Sequence, residues 1–69
     1  MKISARNILK GTIKSLKPGI VTTEVVIELA SGETIVSVIT RKSAEALSLE
    51  AGKTAYAVVK SSDVIVGVD

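Results

Sequence analysis

The sequence predicts an all-β barrel of five strands with one short helix, built to associate with copies of itself. Three observations predict it. Turn residues divide the 69 residues into five strand-length runs rich in Val, Ile and Thr. A single stretch between the third and fourth runs lacks β-branched residues, and the resulting β-β-β-α-β-β order is the connectivity of OB-like Greek-key barrels. Several runs are apolar on both faces, in a chain of this size with no cysteine. Disulfides are therefore not available to support the small core, and burial against other subunits is the simplest replacement.

The elements follow in order. The first run, Ile8 to Leu16, is closed by Lys17-Pro18-Gly19, where proline presets φ and glycine is free to take a positive φ. In the second, Ile20 to Leu29, residues Val21, Thr23, Val25, Ile27 and Leu29 share one face. Thr22, Glu24, Val26 and Glu28 share the other, which is the alternation of a half-buried strand. Ala30-Ser31-Gly32-Glu33 turns the chain into the third run, Glu33 to Thr40, where Ile35 and Ile39 lie opposite Val36 and Val38. Arg41 to Leu49 reads as a helix, since Ala44, Ala46, Leu47 and Leu49 are good helix formers, Thr40 is a natural N-cap and Ser43 falls in the first turn. Glu50-Ala51-Gly52-Lys53 leads to the fourth run, Thr54 to Lys60, with Tyr56 and Val58 against Ala55, Ala57 and Val59. After Ser61-Ser62-Asp63 comes the fifth, Val64 to Val68. A barrel has one interior, so the second apolar faces point outward and call for a partner. With no linker or repeat, residues 1–69 form a single domain.

Composition removes most chemistry. Without Cys or His there is no zinc finger, haem ligation, iron–sulfur cluster or thiol or imidazole nucleophile, and the commonest general base is missing. The acids Glu24, Glu28, Glu33, Glu45, Glu50, Asp63 and Asp69 are scattered along the chain, which argues against a carboxylate pair for catalysis and against a calcium or magnesium site. The five glycines are isolated and form no phosphate-binding loop. Nine Lys and Arg against seven Asp and Glu leave a formal charge of +2, and Tyr56 is the one aromatic residue. A nucleic-acid platform needs a denser positive field and a row of stacking rings. The opening Met1-Lys2-Ile3-Ser4 has no apolar run of signal length, and no stretch approaches a membrane span, so a soluble, cytoplasmic protein is expected.

What the chain does offer is hydroxyls beside cations at element ends: Ser4-Ala5-Arg6-Asn7, Thr40-Arg41-Lys42-Ser43 and Lys60-Ser61-Ser62. Ammonium, guanidinium and terminal backbone N–H groups can only donate hydrogen bonds, a combination that suits an anion. The same residues also serve as ordinary caps and solvated ends.

Four segments carry a more specific signal. Ser4-Ala5-Arg6-Asn7 with Leu9-Lys10-Gly11, the run Gly19-Ile20-Val21-Thr22-Thr23-Glu24-Val25, the pattern Thr40-x-x-Ser43-x-Glu45-x-Leu47, and Val59-Lys60-Ser61-Ser62-Asp63-Val64 together resemble the molbindins. These are small molybdate-binding Mop proteins whose domain also occurs in molybdate-responsive regulators and transporter ATPases. The resemblance spans essentially the whole chain in order and spacing. It implies a non-enzymatic protein that holds molybdate or tungstate at subunit interfaces of a homohexamer, a trimer of dimers, with no organic cofactor. By resemblance, Ser4, Arg6, Lys60 and Ser61 of one subunit form half of an interface site. Thr40 and Ser43 of a neighbour complete it, and Ala5 and Lys42 add backbone N–H donors. A second class of site near a threefold axis maps onto Ile20, Val21 and Thr22.

Molybdate is a tetrahedral dianion whose oxygens only accept hydrogen bonds, so such a donor set satisfies it and a carboxylate would repel it. Sulfate is smaller, and partly protonated phosphate would leave a proton without an acceptor. Two readings from other classes compete: an OB-type nucleic-acid module, and a purely structural oligomerisation domain.

Overall fold

A computed structural model describes residues 1–69. The chain order is β1 (Asn7–Pro18), β2 (Thr22–Leu29), β3 (Thr34–Thr40), α1 (Arg41–Ala46) and β4 (Thr54–Val59), followed by one 3-10 turn over Ser61–Asp63. All four strands form one antiparallel sheet in the order β3-β2-β1-β4, curled round its buried face.

β1 organises the sheet. Its first half pairs with β4, from Asn7↔Val59 to Thr12↔Thr54, and its second half pairs with β2, from Gly11↔Leu29 to Pro18↔Thr23. The ladder to β2 shifts between Ile13 and Ser15, so Lys14 is the extra residue of a bulge, a device that bends a strand and increases its twist. At the overlap Gly11 is flanked by both neighbours. A β-carbon there would sit 2.6 Å from the Glu28 carbonyl oxygen and 2.7 Å from Cγ2 of Ile27, so the sheet closes this tightly only on glycine.

The inward faces agree with the alternation in the sequence. Ile13, Val25, Ile27 and Ala57 are the buried apolar residues, with Thr23 beside them, and Leu16, Leu29, Ile35, Ile39, Leu49 and Ala55 pack around this centre. The outward apolar residues are exposed as expected, Val36 and Val38 on β3 and Tyr56 on β4 each by half or more. Only 5 of 69 residues are buried, a very small core for a stable single chain.

Four expectations are corrected. The fifth strand, Val64 to Val68, is absent. Val64 is extended (φ −85°, ψ 121°), but the segment leaves the sheet and joins no ladder, with Ile65 and Val68 94% exposed. β-Branched residues favour an extended backbone, but a strand forms only where the segment lies along a sheet edge, and this one runs away from the free edges of β3 and β4. The sheet accordingly stays open, and a cavity of about 360 Å³ lies between the edges, lined by Ile35, Val36 and Ser37 of β3 and Tyr56 to Val59 of β4. The helix ends at Ala46 rather than Leu49, because Ser48 takes a left-handed conformation at φ 52° and reverses the chain. Gly19 does not take a positive φ; its lack of a side chain serves a close approach instead, since a β-carbon would lie 2.9 Å from the Thr22 carbonyl oxygen. Finally, β1 runs on through Pro18, and Ile20 belongs to the following loop, not to β2. Gly32 and Gly52 do occupy positive φ, at 91° and 89°, in the two turns assigned to them.

Candidate functional site

Strand register builds two separate clusters from the predicted residues. Ser4, Ala5 and Arg6 precede β1, while Lys60 and Ser61 follow β4. These strands pair antiparallel with Asn7 opposite Val59, so the entrance to β1 and the exit from β4 lie side by side. The Asn7 amide donates to the Val59 carbonyl at 3.3 Å and fastens that end. All five residues, with Ile3, line one concavity of about 500 Å³. No carboxylate lines it, and neither Arg6 nor Lys60 has an acidic partner. Two cations thus share a pocket with two hydroxyls and no counter-charge.

The second cluster arises the same way from β2 and β3, whose register places Thr22 opposite Thr40. The loop before β2 therefore abuts the start of α1, and the Arg41 N–H donates to the Val21 carbonyl at 2.8 Å. Thr40 is the N-cap: its Oγ1 accepts the Ser43 N–H at 3.0 Å and lies 2.7 Å from the Ser43 hydroxyl. One hydroxyl hydrogen serves that contact, which leaves the other free to donate outward. Thr40 and Lys42 line a pocket of about 420 Å³ together with Ile20, Val21, Arg41 and Glu45.

Residues expected at two different sites, Thr40 and Lys42 on one hand and Ile20 and Val21 on the other, are thus brought to one concavity. Ser43 touches it through Thr40, and Thr22 is exposed at the start of β2. The first cluster and this one have no lining residue in common, so within one chain the residues expected to share an interface site fall in separate concavities. Sequence reasoning placed Arg41 in the donor run Thr40-Arg41-Lys42-Ser43 without assigning it to the site, and did not expect Ile3 or Glu45 as lining residues. The i,i+4 spacing of Arg41 and Glu45 on a helix was the available signal. No group of three or more acidic, His or Cys residues able to hold a metal cation is present, and no helix is long and apolar enough to cross a membrane.

The molecule is a small curled β-sheet with donor-rich pockets at its strand ends, and comparison gives its class: residues 3–66 match the TOBE domain, and the chain belongs to that family. Within it the resemblance is to Mop proteins. Molybdenum-pterin-binding protein 2 of Clostridium pasteurianum is 52% identical over 66 residues, covering 96% of this chain and 97% of the relative. A probable molybdenum-pterin-binding protein of Haemophilus influenzae is 44% identical over the full length of both chains. Among solved structures, MopII from Clostridium pasteurianum superposes with a TM-score of 0.92 at 49% identity, covering 97% of this chain and 100% of its own. The cytoplasmic molybdate-binding protein ModG, in a form with molybdate bound, superposes at 0.95 with 43% identity, covering 100% of this chain and 49% of that one.

Proposed function

We propose that this chain is a cytoplasmic binding protein, not an enzyme, which holds molybdate or tungstate at interfaces between its own subunits and serves in molybdenum storage or homeostasis. The observation that carries the reading is the pocket of Ser4, Ala5, Arg6, Lys60 and Ser61, where two unpaired cations and two hydroxyls meet without a carboxylate. Each group there donates, and a dianion with four accepting oxygens matches them. Thr40, Lys42 and Ser43 of a neighbouring subunit supply the remaining donors, and Ile20, Val21 and Thr22 line a second site. The bound oxyanion of the relative ModG supports this ligand class.

The single Mop domain of residues 1–69 works as a homo-oligomer, a hexamer arranged as a trimer of dimers. Its support is the imbalance of the isolated chain: an open seam between β3 and β4, and an unpaired apolar tail, Val64–Val68, of strand length. The tail of one copy placed in the seam of another satisfies the edge hydrogen bonds and buries both apolar surfaces. No organic cofactor and no nucleic-acid partner enter this account. Calorimetric titration with molybdate tests it, with sulfate and phosphate as controls. Saturable molybdate binding with much weaker sulfate binding is the expected result, and equal responses to all three anions contradict it.

A further inference from the structure

The pocket beside α1 contains one group at odds with anion binding. A dianion favours surroundings free of carboxylates, yet Glu45 lines the same concavity as Thr40 and Lys42. Its Oε1 accepts a hydrogen bond from Arg41 Nε at 3.2 Å. From the other side of the same guanidinium, Nη1 donates to the Gly19 carbonyl at 3.4 Å, and the Arg41 backbone N–H donates to the Val21 carbonyl at 2.8 Å. One residue therefore holds a point one helical turn further on and both flanks of Ile20. A planar guanidinium with donors directed along a fork can make these bonds together, whereas an ammonium acts as a point charge. The side chains of Arg41 and Glu45 are 53% and 67% exposed, so the pair adds little to the stability of the fold and its effect is chiefly one of placement.

We propose that Arg41 is a positioning residue which, held by Glu45, fixes the Gly19–Val21 loop against the start of α1 and so sets the shape of the oxyanion pocket without touching the anion. The proposal deepens the oxyanion-binding reading and rests on it. Glu45 then belongs to the binding machinery although its charge opposes the ligand. That opposition supplies a clean discriminator. If Arg41 were an anion ligand restrained by Glu45, removing the carboxylate would release the guanidinium and also remove a like charge, and binding would tighten. If the pair were incidental, nothing would change. Positioning alone makes the loss of a negative charge weaken the binding of an anion.

The test is molybdate titration by calorimetry on the full-length assembly, at about 0.3 M salt to suppress long-range charge effects. Variants are Glu45→Ala, Glu45→Gln, Arg41→Ala and the double variant Arg41→Ala/Glu45→Ala, each checked for melting temperature and oligomeric mass. Glu45→Ala is expected to weaken binding about three- to fivefold. Glu45→Gln keeps an oxygen that accepts from Arg41 Nε and is expected to stay within about twofold of the unsubstituted protein. The double variant is expected to be no weaker than Arg41→Ala, because the two residues act as one unit. Unchanged or tighter binding in Glu45→Ala overturns the proposal. The unsubstituted protein and Lys60→Ala are titrated alongside: no molybdate binding by the former removes the oxyanion reading and this inference with it. Binding that Lys60→Ala weakens and Glu45→Ala does not removes the inference alone.

Discussion

At the scale of single residues, Lys60 carries the most weight, since it is the cation that the register of β4 brings beside Ser4 and Arg6, and no acid neutralises it. Lys60→Ala is expected to leave assembly intact and to weaken molybdate binding by about 1.5–3 kcal/mol, the range for a hydrogen bond to a charged group. Titration calorimetry measures it directly. Gly11 makes an independent structural prediction. A methyl group there meets backbone and the Ile27 side chain below 3 Å, so Gly11→Ala is expected to lower stability by about 1–3 kcal/mol, as in other overpacked sites, read as a shift in the denaturation midpoint. Ser48 points the other way. It pays for a left-handed backbone that glycine takes freely, and Ser48→Gly is expected to raise stability by about 0.5–1 kcal/mol while leaving anion affinity unchanged. Neither glycine requirement could be read from sequence in its true form: Gly11 and Gly19 stand in close approaches that exist only after strands pair.

At the scale of elements, β1 to β4 and the helix start were legible because alternation and turn chemistry are local signals. The alternating faces of Thr23, Val25, Ile27 and Leu29 follow from period two alone, and the cap at Thr40 from its hydroxyl. The tail was not legible in the same way. Val64, Val66 and Val68 carry the local pattern of a strand, yet pairing is a property of what lies alongside, and nothing in the chain does. The candidate site divides similarly. Donor-rich segments are visible in the sequence, while the fact that Ser4–Arg6 meets Lys60–Ser61, and that Ile20 and Val21 meet Thr40 and Lys42, depends on register. If the tail joins subunits, Val66→Asp places a charge in that contact. It is expected to shift the sedimentation profile from a hexamer toward smaller species, and an unchanged profile counts against the tail as the connecting element.

At the scale of the whole molecule, the small core, the open seam and the two donor-lined pockets are the observations that the proposed assembly, in which subunits complete one another, would resolve together. Ligand and assembly are then linked. An anion bound only by the folded oligomer raises the melting temperature by mass action, so molybdate and tungstate are expected to raise it and sulfate at equal concentration to do so far less. The central claim is that each oxyanion is shared between subunits, and mixing subunits tests it most directly. Lys60→Ala and Ser43→Ala assemblies, each deficient in molybdate binding, are mixed, with exchange verified by mass spectrometry, and titrated. A shared site requires that some interfaces in the mixture pair an intact Lys60 half with an intact Ser43 half, so binding is expected to recover at a fraction of the sites. Verified exchange without recovery contradicts the shared site.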